Sequence, residues 1–86
     1  MATPAMQRYA AEIFRLQQDM PYVALNELSE SANSSMQATA RMVGRMKKLD
    51  YVEHELYRGV RLTDKGAQIA MPALRRHRLE IGRAHV

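Results

Sequence analysis

Residues 33–49 read Asn33-Ser34-Ser35-Met36-Gln37-Ala38-Thr39-Ala40-Arg41-Met42-Val43-Gly44-Arg45-Met46-Lys47-Lys48-Leu49. Met36, Thr39, Met42, Val43, Met46 and Leu49 recur at threes and fours, the spacing of a helix that buries one face. Gln37, Arg41, Arg45 and Lys48 recur at helical spacing on the other side. An apolar back with an amide-and-guanidinium front is what a helix needs to read base edges in a DNA major groove. A solvated basic face is the alternative reading of the same pattern, and the flanking sequence has to separate the two. Ser35 is a good N-cap, because its hydroxyl can accept an orphan backbone N–H. Gly44 costs roughly 1 kcal/mol against Ala inside a helix. It is expected to permit close approach by a neighbouring helix, or else to be merely tolerated.

Upstream, Asn33-Ser34-Ser35 makes a tight polar connection. A short helix is expected from about Asn26, its cap, to Ala32, with Leu25, Leu28 and Ala32 facing inward. Tyr22 to Leu25 reads as extended. Before it, Met6, Tyr9, Ala10, Ile13 and Leu16 keep helical spacing and Phe14 widens the stripe. This first helix, about Ala5 to Gln18, opens with Thr3 as cap and Pro4 in its first turn. Asp19-Met20-Pro21 ends it, since the residue before a proline avoids helical angles.

Downstream the period changes. Tyr51 to Tyr57 roughly alternates and is β-prone, Arg58-Gly59 reads as a turn, and Val60-Arg61-Leu62 returns. Thr63-Asp64-Lys65-Gly66 opens a fourth helix with Thr63 as cap. Ala67, Ile69, Ala70, Leu74 and Leu79 supply its apolar positions. Pro72 is expected to kink or split it near Met71. Two helices joined by a short polar turn, then a hairpin and a helix, make a winged helix-turn-helix, mostly α with a small β wing.

The chain has 86 residues, enough for one small domain with a thin core. It holds no Cys, so disulfides and thiolate metal sites are excluded, and a reducing cytoplasm fits. No apolar run approaches a membrane span, and the N-terminus shows no basic-then-apolar signal pattern. The net charge is +4, unevenly spread. Residues 1–40 carry two basic and four acidic residues, whereas 41–86 carry 11 basic and five acidic. That asymmetry favours a polyanion such as DNA over a membrane, since no segment joins a basic face to exposed bulky aromatics.

The run Tyr57-Arg58-Gly59-Val60-Arg61-Leu62-Thr63-Asp64-Lys65-Gly66, followed by Arg75-Arg76-His77-Arg78-Leu79, resembles the iron- and manganese-dependent repressors related to the diphtheria toxin repressor. Its manganese-transport-regulator branch is the most similar, as Met1 to Pro4 and Tyr9 also suggest. The resemblance covers residues 1–79 without gaps. It implies a two-domain homodimeric repressor, with an N-terminal winged helix on double-stranded operator DNA and a C-terminal helical domain that dimerises and completes a Mn2+ or Fe2+ site. Residues 1–70 then form the DNA-binding domain, and 71–79 begin the linker or dimerisation helix.

By that resemblance the third helix is the recognition helix. The expected DNA contacts are Ser34, Ser35, Gln37, Ala38, Arg41, Arg45 and Lys48, with Arg58 at the wing tip. Arg41 and Arg45 suit bidentate bonds to guanine and Gln37 to adenine. Ser34 and Ser35 suit phosphate near the helix N-terminus, and Lys48 suits an anchoring contact. Arg58 suits a phosphate or minor-groove contact, with a solvated turn residue as the alternative.

The metal site departs from the family. His77 matches the family's histidine ligand. Arg8 stands where an acid or Met is usual, and Ala11 stands where manganese regulators carry an acid. Glu12, the nearest carboxylate, lies about 100° further around the helix. Three readings stay open: a site shifted to Glu12 and His77, a lost site with Arg8 standing in for the cation, or a site made by ligands in the missing domain.

Ile81 stands where the family has a carboxylate four residues after the histidine. Residues 81–86 can be encoded by ATC GGA AGA GCA CAC GTC, the frame of a common short-read sequencing adapter. The expectation is a gene fragment ending near Leu79, with 80–86 a non-native tail. His85 is then no ligand.

Three functions compete: a sequence-specific regulator, metal-responsive or metal-independent; a winged-helix protein-interaction module; and a small enzyme. The last fares worst, because the three His are scattered and no nucleophile-base pair or phosphate loop can be read.

Overall fold

The computed structural model describes residues 2–84, with side chains described for 2–75. Helix α1 (Pro4–Leu16) starts as expected: Thr3 Oγ1 accepts the Met6 N–H at 3.1 Å and Pro4 takes the first position, where its missing N–H costs nothing. Met6, Tyr9, Ala10, Ala11 and Ile13 are its buried face. Helix α2 (Leu25–Ser31) is capped differently from expectation. Its N-cap is Ala24, without a side-chain bond. Asn26 lies inside the first turn, where its carbonyl accepts from the Ser29 hydroxyl at 2.8 Å.

Helix α3 (Met36–Lys48) begins at Ser35, whose Oγ accepts the Ala38 N–H at 3.1 Å. Its inward face is Thr39, Val43 and Met46, with Met42 and Leu49 partly buried. Met36, expected inside, is 48% exposed at the first turn, where its Sδ accepts the Ser29 hydroxyl of α2 at 3.3 Å. Asn33 (φ 55°) and Asp50 (φ 64°) end α2 and α3 in the left-handed conformation, which short polar side chains tolerate. Gly44 is exposed, and a Cβ there would meet nothing within 4 Å. The expected close approach by a neighbouring helix is therefore absent.

The wing is β1 (Val52–Glu55) antiparallel to β2 (Gly59–Leu62), pairing Val52 with Leu62 and Glu55 with Gly59. The connecting turn is Leu56-Tyr57-Arg58 instead of the expected Arg58-Gly59, so the first strand stops two residues earlier, at Glu55. Gly59 belongs to the strand. Val23 pairs with Val60 through two 2.8 Å bonds, an isolated bridge beside the hairpin; Leu25, expected to be extended, already belongs to α2. A side chain at Gly59 would bring its Cβ to 2.5 Å from the Val23 carbonyl oxygen, and its φ of +118° is closed to L-residues.

Helix α4 (Asp64–Ala84) is capped by Thr63, which accepts the Gly66 N–H at 3.0 Å and donates to the Asp50 carbonyl at 2.6 Å. The helix runs unbroken through Pro72, so the expected split near Met71 does not occur. Pro72 is exposed, and Ile69, Ala73 and Leu74 on either side pack on the core, which holds the helix along α1 despite one missing bond. Helix α1 packs along α4, α2 touches both α1 and α3, and the wing meets α3 through β1, and α1 and α4 through β2. Ile13, Val23, Leu28, Met46 and Val60 meet at the centre, fully buried.

Candidate nucleic-acid interface

The polar face of α3 is open. Gln37, Arg41, Arg45 and Lys48 are all exposed, as are Gly44 and Lys47. The helix has no acidic residue between Met36 and Lys48, and none of its cations forms an ion pair among the described residues. Elsewhere three arginines are matched, while the exposed Arg8, Lys65 and Arg75 carry no ion pair among the described residues. Arg15 pairs with Glu12, Arg58 with Glu55 at 3.6 Å, and Arg61 with Glu53 at 3.0 Å. Positive charge on α3 is thus uncompensated among the described residues.

The residues before α3 are partly engaged. Ser35 Oγ spends one lone pair on the cap, leaving its O–H available as a donor. Ser34 is half-buried and its hydroxyl donates to the Ala32 carbonyl at 3.4 Å. Ala38 is half-buried on the edge of the polar face. Ser34, Ser35, Gln37, Ala38, Arg41, Arg45 and Lys48 therefore share one helix and its entry turn, and Arg58 stands apart from them in the wing.

Arg58 is exposed, with 67% of its side chain open to solvent, and makes two surface contacts besides. Its guanidinium lies 5.6 Å from the ring centre of Tyr22, and that of Arg61 lies 5.7 Å from the same ring. Tyr22 is held between two cations, each also paired to a glutamate, which ties the wing to the segment before α2. Sequence reasoning missed Tyr22. The alternation of β1 and β2 could have suggested the facing pair Glu53 and Arg61, but nothing local points to the ring.

The metal expectation divides. Glu12 is half-buried, paired with Arg15 and accepting a hydrogen bond from the Ser31 hydroxyl, so its carboxylate joins α1 to α2. Ala11 is 5% exposed and packed in the core, while Arg8 faces solvent. No group of three or more His, Cys, Asp or Glu that could hold a metal occurs among the described residues. His77 lies within α4, but its side chain is outside the described residues, as is that of Ile81; His85 is outside them altogether. Likewise no described helix is long and apolar enough to cross a membrane.

The family described as iron dependent repressor, N-terminal DNA binding domain, matches residues 1–60. Among curated proteins, the chain is similar to the HTH-type transcriptional regulator MntR of Shouchella clausii, 33% identical over 79 residues that cover 92% of this chain and 55% of that protein. MntR of Geobacillus thermodenitrificans and of Bacillus subtilis are each 32% identical over the same length, covering 92% of this chain and 56% of theirs. The chain thus spans about half the length of these relatives.

Proposed function

Because the chain belongs to the iron-dependent repressor family through its N-terminal DNA-binding domain, a family of transcriptional regulators and not of enzymes, we propose that it is a sequence-specific repressor acting on double-stranded operator DNA. The observation that supports this reading is the uncompensated basic face of α3. Arg41, Arg45, Lys47 and Lys48 lie exposed on one helix that holds no acidic residue, and none has an acidic partner among the described residues. Laid in a major groove, α3 presents Gln37, Arg41 and Arg45 to base edges and Ser35 and Lys48 to phosphates. The whole protein works in the cytoplasm as a homodimer, in keeping with the symmetric operators that helix-turn-helix proteins bind.

The described residues do not fit a divalent cation. Glu12 is engaged by Arg15 and Ser31, Ala11 offers no donor, and Arg8 brings a positive charge to the same helix. A manganese or iron response therefore has to draw on His77 and on donors beyond the described residues. The same observation favours a second reading, in which this domain binds DNA without metal.

Electrophoretic mobility of the full gene product on DNA upstream of its own gene, with and without Mn2+, tests both. Retardation in either condition that Arg41→Ala weakens is the expected result. Retardation only with Mn2+ overturns the metal-independent reading, and none in either condition overturns the DNA-binding one.

A further inference from the structure

Tyr57 occupies the middle of the turn between β1 and β2, and its side chain is 99% exposed. Leu56 beside it is 78% exposed. The φ of Tyr57 is +71°. Asn33 and Asp50, the other non-glycine residues with positive φ, belong to types that tolerate this conformation; a bulky aromatic does not. The fold thus holds a Tyr in an unfavoured conformation, against solvent, with no partner among the described residues. Packing gives no reason for it. Arg58, the cation at the same tip, remains 67% exposed but already has partners, with its guanidinium 5.6 Å from the Tyr22 ring centre and 3.6 Å from the Glu55 carboxylate.

We propose that Tyr57, flanked by Leu56, is the wing's DNA contact, packing its ring on the sugar wall of the minor groove next to the major groove that α3 occupies. Its hydroxyl donates to a phosphate oxygen there. This rests on the DNA-binding reading of α3. Position and charge argue for that occupant. The base of the wing is fixed to the last turn of α3, because the Tyr51 N–H donates to the Met46 carbonyl at 2.8 Å. A four-residue strand spans roughly 13 Å, about the width of a major groove, so the tip reaches the backbone bordering it. The turn's Glu55 is neutralised by Arg58, so the tip carries no net repulsion toward phosphate. Apolar and aromatic side chains are also what minor-groove contacts commonly use.

The test compares the full chain with Tyr57→Asn, Tyr57→Phe and Arg41→Ala on a duplex from DNA upstream of its own gene. Asn accepts a positive φ more readily than Tyr, so Tyr57→Asn is expected to melt no lower than the parent, and its binding loss is not unfolding. Tyr57→Asn should weaken binding about tenfold while leaving the salt dependence unchanged, since no charge is removed. Tyr57→Phe should lose part of that, the share of the hydroxyl. Shortening the duplex on the wing side should cost the parent the same affinity and make Tyr57→Asn equal to it. If Arg41→Ala weakens binding but Tyr57→Asn binds the long duplex like the parent, the wing contact is overturned and the reading of α3 stands. If neither substitution changes binding, both are overturned. A Tyr57→Asn defect confined to self-association, with DNA affinity intact, also overturns the proposal in favour of a protein contact.

Discussion

Gln17, just past the end of α1, accepts the backbone N–H of Leu62 in β2 through its Oε1 at 2.8 Å, across 45 residues of chain. Its Nε2 donates to the Pro21 carbonyl at 3.4 Å. One amide therefore sets the angle at which the wing leaves the helical body. Gln17→Leu removes the acceptor and leaves a half-buried N–H unmet. The expected loss is about 1–2 kcal/mol, read as a lower urea midpoint with an unchanged m-value.

Two glycines should respond in opposite directions. A Cβ at Gly44 meets nothing, so Gly44→Ala should gain roughly 0.5–1 kcal/mol from helix propensity alone. A Cβ at Gly66 would lie 1.9 Å from the Tyr51 carbonyl oxygen, so Gly66→Ala must push α4 off the wing. It should lose about 3 kcal/mol or fail to fold. Thermal melting of both variants checks the pair, and a gain at Gly66 would mean that α4 packs elsewhere.

Thr39 is fully buried on the inner face of α3, and its hydroxyl has no partner among the described residues. Thr39→Val keeps the branched shape and removes an unsatisfied polar atom. It should raise stability by about 1 kcal/mol. A drop on denaturation would show that the hydroxyl is in fact bonded.

What could be read from the sequence, and what could not, follows from how local each cause is. The extents of α1, α2 and α3 came within a residue or two because apolar spacing decides them, as at Met6, Tyr9, Ala10 and Ile13. The caps at Thr3, Ser35 and Thr63 were legible because each bonds an N–H three residues away. The turn register was not. Gly59 looks like a turn residue, yet it is a strand residue pressed against the Val23 carbonyl, a neighbour far back in the chain. The cap of α2 was missed for a related reason, since the Val23–Val60 pairing sets where that helix starts and gives the role to Ala24. The continuity of α4 through Pro72 depends on packing against the core that no local rule contains. At the candidate interface, the face of α3 was visible as a stripe. The contact of Arg58 with Tyr22 was not, because the ring lies in another segment.

Arg41 stands near the centre of the exposed face of α3. If it reads a base, Arg41→Ala should cost about 1–3 kcal/mol and relax preference at one position of the site. A uniform loss over all sequences, with a shallower salt dependence, would assign it to phosphate. Binding to a panel of single-base operator variants separates the two outcomes.

If the cations of α3, unpaired among the described residues, meet DNA phosphates and bases, binding has to depend on salt. The most direct measurement is the affinity of the full chain for duplex DNA from upstream of its own gene, followed over a range of salt concentration. Contacts by about three of the cations among Arg41, Arg45, Lys47 and Lys48 predict that log K falls with log salt with a slope near −2.7 per domain. Arg41→Ala, Arg45→Ala and Lys48→Ala together should flatten it. Specific binding whose affinity ignores salt, or a slope untouched by those three substitutions, would contradict the account.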